Sequence, residues 1–190
     1  MSKKSSAGEK SRAEKVEMAS SVGADEEMAE KKTPRVTIRE IKRGEDENAG
    51  ELIARLKRLN GEFDPLLKTS PNLDAEARSS IKTAMGNSGS VVLVAVQVDS
   101  GKVVGVVKAD LVDRVFYEPR REGAIVEFYI LPEFRRGDLG KRLLSAMVES
   151  LKAKGAVLIT AEFPSQNEIA KKFYTKLGFR SLTNVYAKSY

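Results

Sequence analysis

Two runs rich in β-branched residues, Val91 to Val98 and Val103 to Leu111, are separated only by Asp99-Ser100-Gly101-Lys102, and no other feature narrows the fold as much. A short polar link containing glycine turns the chain back on itself, so the spacing predicts an antiparallel hairpin. The flanking periods then decide the fold class. Upstream, Val36 and Ile38 alternate with Thr37 and Arg39 as in a half-buried strand, and Leu52, Ile53, Leu56 and Leu59 recur at helical spacing. A loop is expected from Asn60 to Asn72, which holds Gly61, Pro65 and Pro71, and a second short helix from Leu73 to about Gly86. Downstream, an apolar strand from Ala124 to Leu131 is stopped by Pro132. A helix follows from Leu139 to Ala153, with Leu139, Leu143, Met147 and Leu151 down one face, Leu144 and Val148 beside them, and Gly155 to close it. A strand from Ala156 to Phe163, a helix from Asn167 to Leu177 and a last strand from about Arg180 to Lys188 complete the expected order. Hairpin neighbours and helical crossovers in one chain require a mixed sheet, and the reading is a single α/β domain over residues 35–190 with helices flanking a central sheet.

The first 34 residues are read differently. They contain no aromatic residue and no sustained apolar period, too little to offset the entropy of ordering, so a disordered low-complexity tail is expected over 1–34. Its seven basic residues match its seven acidic ones, which assigns the net charge of +6 to the rest of the chain. That excess is modest and accompanies no nucleic-acid motif, so nucleic-acid binding is not the expected role. The chain lacks Cys and His, which excludes a disulfide frame, thiolate metal sites, a Cys nucleophile and a Ser-His-Asp relay. No metal is expected, and acid–base work falls to Asp, Glu, Lys or Tyr. The longest apolar runs fall well short of the roughly 20 residues that span a bilayer. A soluble, cytoplasmic protein with no membrane contact is the expectation.

The segment Ile130-Leu131-Pro132-Glu133-Phe134-Arg135-Arg136-Gly137-Asp138-Leu139-Gly140-Lys141-Arg142 joins a strand end to a helix start through a basic turn. Free N–H groups of a first helical turn, the positive end of the helix dipole and the cations Arg135, Arg136, Lys141 and Arg142 make such a turn suited to a phosphorylated ligand. It matches neither the phosphate loop ending in Gly-Lys-Ser/Thr nor the dinucleotide fingerprint. Spacing alone fits a ligand site and a plain basic helix start equally.

From Val36 to Tyr186 the chain resembles the GNAT superfamily of N-acetyltransferases. The turn Arg135-Arg136-Gly137-Asp138-Leu139-Gly140 is similar to the family's Gln/Arg-x-x-Gly-x-Gly/Ala, and Asn167-x-x-Ala170-x-x-Phe173-Tyr174-x-Lys176-Leu177-Gly178-Phe179 is similar to its second block. The resemblance implies acetyl-coenzyme A as co-substrate. It implies that Arg135, Arg136, Gly137, Asp138, Leu139, Gly140 and Lys141 surround the pyrophosphate, that Phe128, Tyr129 and Ile130 offer main-chain contacts to the pantetheine arm, and that Asn167 hydrogen-bonds the coenzyme. Asp138 departs from the glycine usual there, and a carboxylate beside a pyrophosphate is repelled by about 4 kcal/mol at 4 Å and an effective dielectric near 20. Its tolerance of left-handed backbone leaves the turn geometry less affected than the charge.

The resemblance also implies catalytic roles. Tyr174 is the expected proton donor to the departing thiolate, and a phenol near 10 can serve a thiol near 8.5 at small cost; packing against Phe173 and Leu177 is the plainer alternative. Glu162, at the end of the Ala156 to Phe163 strand, holds the place of the base in members that acetylate protein N-termini. Glu127 sits mid-strand, where members acting on small amines carry an acid. Either carboxylate fits a surface position as well. Ser165-Gln166-Asn167-Glu168 also reads as a capping box with Ser165 as N-cap. Without Cys or His to carry an acyl group, transfer is expected to be direct, from a ternary complex to a primary amine, either small or on a protein N-terminus or lysine. The acceptor site is placed by likeness in Asn60 to Pro65 and Asp113 to Glu118, and a non-catalytic acyl-coenzyme A or nucleic-acid module is the alternative function.

Overall fold

The computed structural model describes residues 35–135 and 137–189. The predicted tail over 1–34 and Arg136 lie outside the described residues. Five strands form one sheet in the order β1-β2-β3-β4-β5: β1 Val36–Glu40, β2 Ser90–Gln97, β3 Val103–Asp113, β4 Arg121–Ile130 and β5 Leu158–Ala161. The helices are α1 Asp46–Phe63, α2 Leu73–Met85, α3 Leu139–Ala153 and α4 Glu168–Lys176. The first four strands pair antiparallel; β5 joins β4 in parallel, with α3 as the crossover.

The predicted hairpin is β2–β3. Its residues are buried on both faces, which explains why the sequence reads as continuous apolar runs rather than alternation. Helices cover both faces. Gly105 lies against Leu143 of α3, whereas Lys108, an odd number of residues along the same strand, lines a groove of 650 Å³ with Thr83 of α2. α3 buries the predicted stripe of Leu139, Leu143, Met147 and Leu151, together with Leu144. Close packing on that side depends on a missing side chain: a Cβ at Gly123 would stand 2.8 Å from Leu151 Cδ1 and 3.1 Å from Ile159 Cδ1.

Three expectations need correction. No strand forms over 180–188; that segment has no regular structure, and Val185 and Tyr186 are over 90% exposed. Its apolar residues Leu182, Val185 and Tyr186 do not keep a period of two, so the segment has no single apolar face to lay on the sheet. β5 is shorter than the apolar run that suggested it. The helix α1 runs on through Asn60, Gly61, Glu62 and Phe63, which were expected to open a loop; Asp64 ends it in extended conformation and caps the short turn Pro65–Leu67 by accepting from Leu66 N–H at 2.8 Å.

Candidate active site

β4 is the frame of the site, and it changes character along its length. From Glu122 to Ile125 it is paired with β3 on one side and with β5 on the other; the last contact on the β5 side is Glu162 N–H to Ile125 O at 3.1 Å. From Val126 to Ile130 only β3 remains as a partner strand. At the parting point there is a bulge. Lys108 faces Glu127 and Ala109 faces Ile125, so two steps on β4 correspond to one on β3 and Val126 is the extra residue. Strand alternation carries Ile125 to the face of Gly123, toward α3; the bulge then turns Glu127 to the opposite face, toward α1.

There Lys57 Nζ of α1 lies 2.8 Å from Glu127 Oε1, and the Glu127 side chain is only 11% exposed. Its second oxygen, Oε2, is buried without a hydrogen-bond partner, and Asn60 Oδ1 on α1 is in the same condition. Native interiors leave few such groups, each costing about 1–3 kcal/mol. Glu162, by contrast, is exposed at the mouth where β4 and β5 separate, and its carboxylate has no ion pair among the described residues.

On the other face an aromatic cluster closes the gap. Phe128 stacks on Phe173 at 5.6 Å between centroids. Tyr174 stacks on Phe163 at 5.3 Å and meets Phe179 edge-on at 5.2 Å. The last contact follows from the helix end: Leu177 closes α4, Gly178 takes φ +88°, and Phe179 N–H bonds Tyr174 O at 3.1 Å, folding the phenylalanine back over the tyrosine. Gly140 admits the cluster to α3, since a Cβ there would come within 3.3 Å of the Phe173 ring. Tyr174 is 5% exposed, and burial pushes its phenol well above the ordinary value near 10. Its hydroxyl has no hydrogen-bond partner among the described residues, so it is held protonated by desolvation rather than by a base.

The turn before α3 has a different layout from the one expected. Gly137 carries the left-handed backbone, at φ +119°, while Asp138 is ordinary right-handed helix at φ −95° and makes no side-chain cap. The strained position is therefore filled by glycine, and Asp138 acts on the turn only through its charge. Arg142 N–H to Asp138 O, at 2.9 Å, is the first bond of the helix, so the amides of Leu139, Gly140 and Lys141 have no intrahelical acceptor. The cations divide. Arg135 Nε donates to Ile130 O at 2.7 Å and its guanidinium lies 5.1 Å from the centre of the Tyr129 ring. Arg142 donates to Val36 O at 3.0 Å and stands 3.7 Å from the Asp138 carboxylate. Lys141 is exposed and unpaired among the described residues. Arg135 thus braces the strand end that precedes the turn.

Asn167, not Ser165, is the N-cap of α4: its Oδ1 accepts from Ala170 N–H at 3.0 Å. The capping-box reading fails because the helix begins two residues later than it requires, and Glu168 pairs with Lys171 instead. The Asn167 amide nitrogen is left for another partner. Of the acceptor segments expected from likeness, Asn60 to Phe63 is helical, and Asn60 Oδ1 there is buried without a hydrogen-bond partner. Phe116 and Tyr117 are exposed at 90% and 65%, with Arg114 over the Tyr117 ring. Lys57 and the bulge at Val126 carry no local sequence signal; a cation at helical spacing reads as solvated until the strand opposite it is known. No group of three or more acidic, His or Cys residues is placed to hold a metal among the described residues, and no described helix is long and apolar enough to cross a membrane.

Residues 55–179 match the family model described as Acetyltransferase (GNAT) family. No curated protein matches the chain. Among solved structures, an aminoglycoside N-acetyltransferase, AAC(6')-Iy, in complex with CoA is 18% identical, with a TM-score of 0.65 over 83% of this chain and 95% of that one. A glucosamine-6-phosphate N-acetyltransferase from Arabidopsis thaliana is also 18% identical, with a TM-score of 0.60 over 82% of this chain and 99% of that one. A transcriptional regulator from Bacillus halodurans C-125 is 21% identical, with a TM-score of 0.64 over 82% of this chain and all of that one.

Proposed function

The chain belongs to the acetyltransferase (GNAT) family, and from that premise we propose that it transfers an acetyl group from acetyl-coenzyme A directly to a primary amine held against Glu127. The observation that carries the reading is the shielded, unpartnered Oε2 of Glu127 at the bulge where β4 leaves β5. A buried carboxylate oxygen without a donor is suited to receive an ammonium N–H.

The coenzyme fits the residues around it. The amides of Leu139, Gly140 and Lys141, the exposed Lys141 ammonium and the open space above Gly137, where an added Cβ meets nothing within 4 Å, suit a pyrophosphate. The unpaired edge of β4 from Phe128 to Ile130 suits an extended amide arm, and the free Asn167 amide nitrogen suits an acceptor on it. Among these, Ile130 O is already engaged by Arg135, which leaves Phe128 and Tyr129 the freer main-chain partners. Bound there, acetyl-coenzyme A supplies a thioester activated toward amines.

Glu127 orients the acceptor ammonium. Glu162, exposed at the mouth, takes its proton through water, a step that costs roughly 4 to 5 kcal/mol for a lysine-like amine at pH 7 and about 1 for an α-amino group. Tyr174 gives a proton to the leaving sulfur, and the second N–H proton, shed as the attacked nitrogen becomes an amide, restores the phenol. From ordinary pKa values this transfer is uphill by about 2 kcal/mol, and burial of the phenol adds to that; in exchange the donor stays protonated over the whole working pH range.

The test is release of free thiol from acetyl-coenzyme A with and without an amine panel spanning small alkylamines, polyamines, amino sugars and peptides. The reading expects thiol only when both substrates are present. A burst of free coenzyme before any amine is added would contradict direct transfer, and tight coenzyme binding with no transfer to any amine would leave a binding module.

A further inference from the structure

The proposed chemistry gives Glu127 to the acceptor, yet Glu127 already holds a cation. Lys57 Nζ is 2.8 Å from its Oε1, with the Lys57 side chain 39% exposed. Lys57 and Asn60 are three residues apart on α1 and so lie on one side of the helix. Glu127 Oε2 is shielded and without a donor, and so is Asn60 Oδ1 on that side of α1. The remaining cation nearby, Lys108, sits opposite Glu127 in the β3–β4 register, but its ammonium is 3.2 Å from Asp110. The Lys57 ammonium therefore leaves both buried acceptors unserved. Each ammonium brings three N–H donors and no acceptor, which is the complement of this set.

We propose that Lys57 is a resident stand-in for the acceptor: Glu127 forms, against the side of α1 that carries Lys57 and Asn60, a slot for a primary ammonium at the end of an unbranched alkyl chain, and the acceptor enters by displacing Lys57 from Glu127. Its consequence for turnover rests on the acetyl-transfer reading; the slot does not. Exchange of one ammonium for another never leaves the half-buried carboxylate without a cation, so entry avoids the step that makes removal of one partner from a buried pair unfavourable. A tethered competitor has a high effective concentration, so Lys57 raises the KM of every acceptor and selects against amines that bind less well than a lysine side chain. Neutral isosteres cannot replace it.

The probe is n-butylammonium, which reproduces the Lys57 side chain beyond Cα. Calorimetry should show binding to Lys57→Ala at least about tenfold tighter than to the wild type, no binding of n-butanol, and loss of binding in Lys57→Ala/Glu127→Gln. Should Lys57→Ala fail to fold, Lys57→Met keeps the alkyl stem and methylammonium becomes the probe, with the same expectation. For any amine that the enzyme turns over, Lys57→Met should lower its KM about tenfold, with the change in KM rather than in kcat and none in the KM of acetyl-coenzyme A. Equal binding of the probe to the wild type and Lys57→Ala, binding that survives Glu127→Gln, or an unchanged amine KM overturns the proposal. Probe binding that depends on Glu127 without transfer to any amine would sink the transferase reading and keep the slot. Transfer with no effect of Lys57 would do the reverse.

Discussion

The two halves of β4 belong to one strand and have different work. Glu122 to Ile125 is flanked by strands on both sides, and its Gly123 lets Leu151 and Ile159 close over it. Val126 to Ile130 has a partner strand on one side only, turns an acid inward through a bulge, and faces an aromatic cluster across the gap. One half holds the sheet together. The other half accepts the cost of an unpaired edge and a half-served carboxylate, the kind of local cost that folds tolerate where a ligand will settle it. The proposed site lies where pairing stops, and the bulge at Val126 is the boundary between the two halves.

Substitutions on either side of that boundary should separate stability from function. The largest effect is expected from Glu127→Gln, which keeps the shape and removes the charge: kcat/KM for amine falls about 10³-fold, mostly through the amine KM, while the Kd of acetyl-coenzyme A holds. Steady-state kinetics on both substrates would check it, and a uniform loss in both would blur the division. Next comes Tyr174→Phe, with kcat lower by about 10²-fold and thermal stability retained, because the ring contacts with Phe163 and Phe179 remain. Burial raises the Tyr174 phenol above its ordinary value, so the protonated form persists where a free tyrosine would be half ionised. The ratio of wild-type to variant kcat should thus stay flat from pH 7 to 10, and a ratio that collapses by pH 10 would argue against the assignment.

Gly123→Val probes the paired half. Its side chain would press on Leu151 and Ile159, costing about 1–3 kcal/mol of stability by chemical denaturation and leaving the coenzyme Kd unchanged in the folded fraction. A selective loss of coenzyme binding would mean that the two halves are coupled. The smallest effect is expected at Asp138→Gly. The carboxylate is 72% exposed and lies 3.7 Å from Arg142, so the repulsion of about 4 kcal/mol estimated for a bare pair falls toward the 0–1 kcal/mol typical of exposed charges. Acetyl-coenzyme A should bind tighter by no more than about fivefold, and calorimetry showing no change or weaker binding would remove Asp138 from the pyrophosphate's surroundings.

What the sequence disclosed was whatever a local period or a short motif can carry. The β2–β3 hairpin, the buried stripe of α3 and the close of that helix at Gly155 all appear where residue spacing put them, because each depends on neighbours within a few positions. Boundaries set by competition between local signals moved: Gly61 did not end α1, and Asn167 rather than Ser165 took the cap of α4. The glycine of the turn, not Asp138, took the positive φ. Glu127 could be singled out from its strand, but its direction could not, since one extra residue at Val126 reverses the face of everything after it. Lys57 meets Glu127 only through α1 packing on β4, some 70 residues away in sequence, and no pattern in a single chain encodes that contact.

Hydrogen exchange with and without acetyl-coenzyme A reads each half of β4 separately and so shows which of them the coenzyme occupies. Exchange should slow in the segment Phe128 to Ile130 and in Leu139 to Lys141, with Gly123 to Ile125 unchanged since that half is already paired on both sides. No change in either segment at saturating ligand, or protection confined to Gly123 to Ile125, would contradict it.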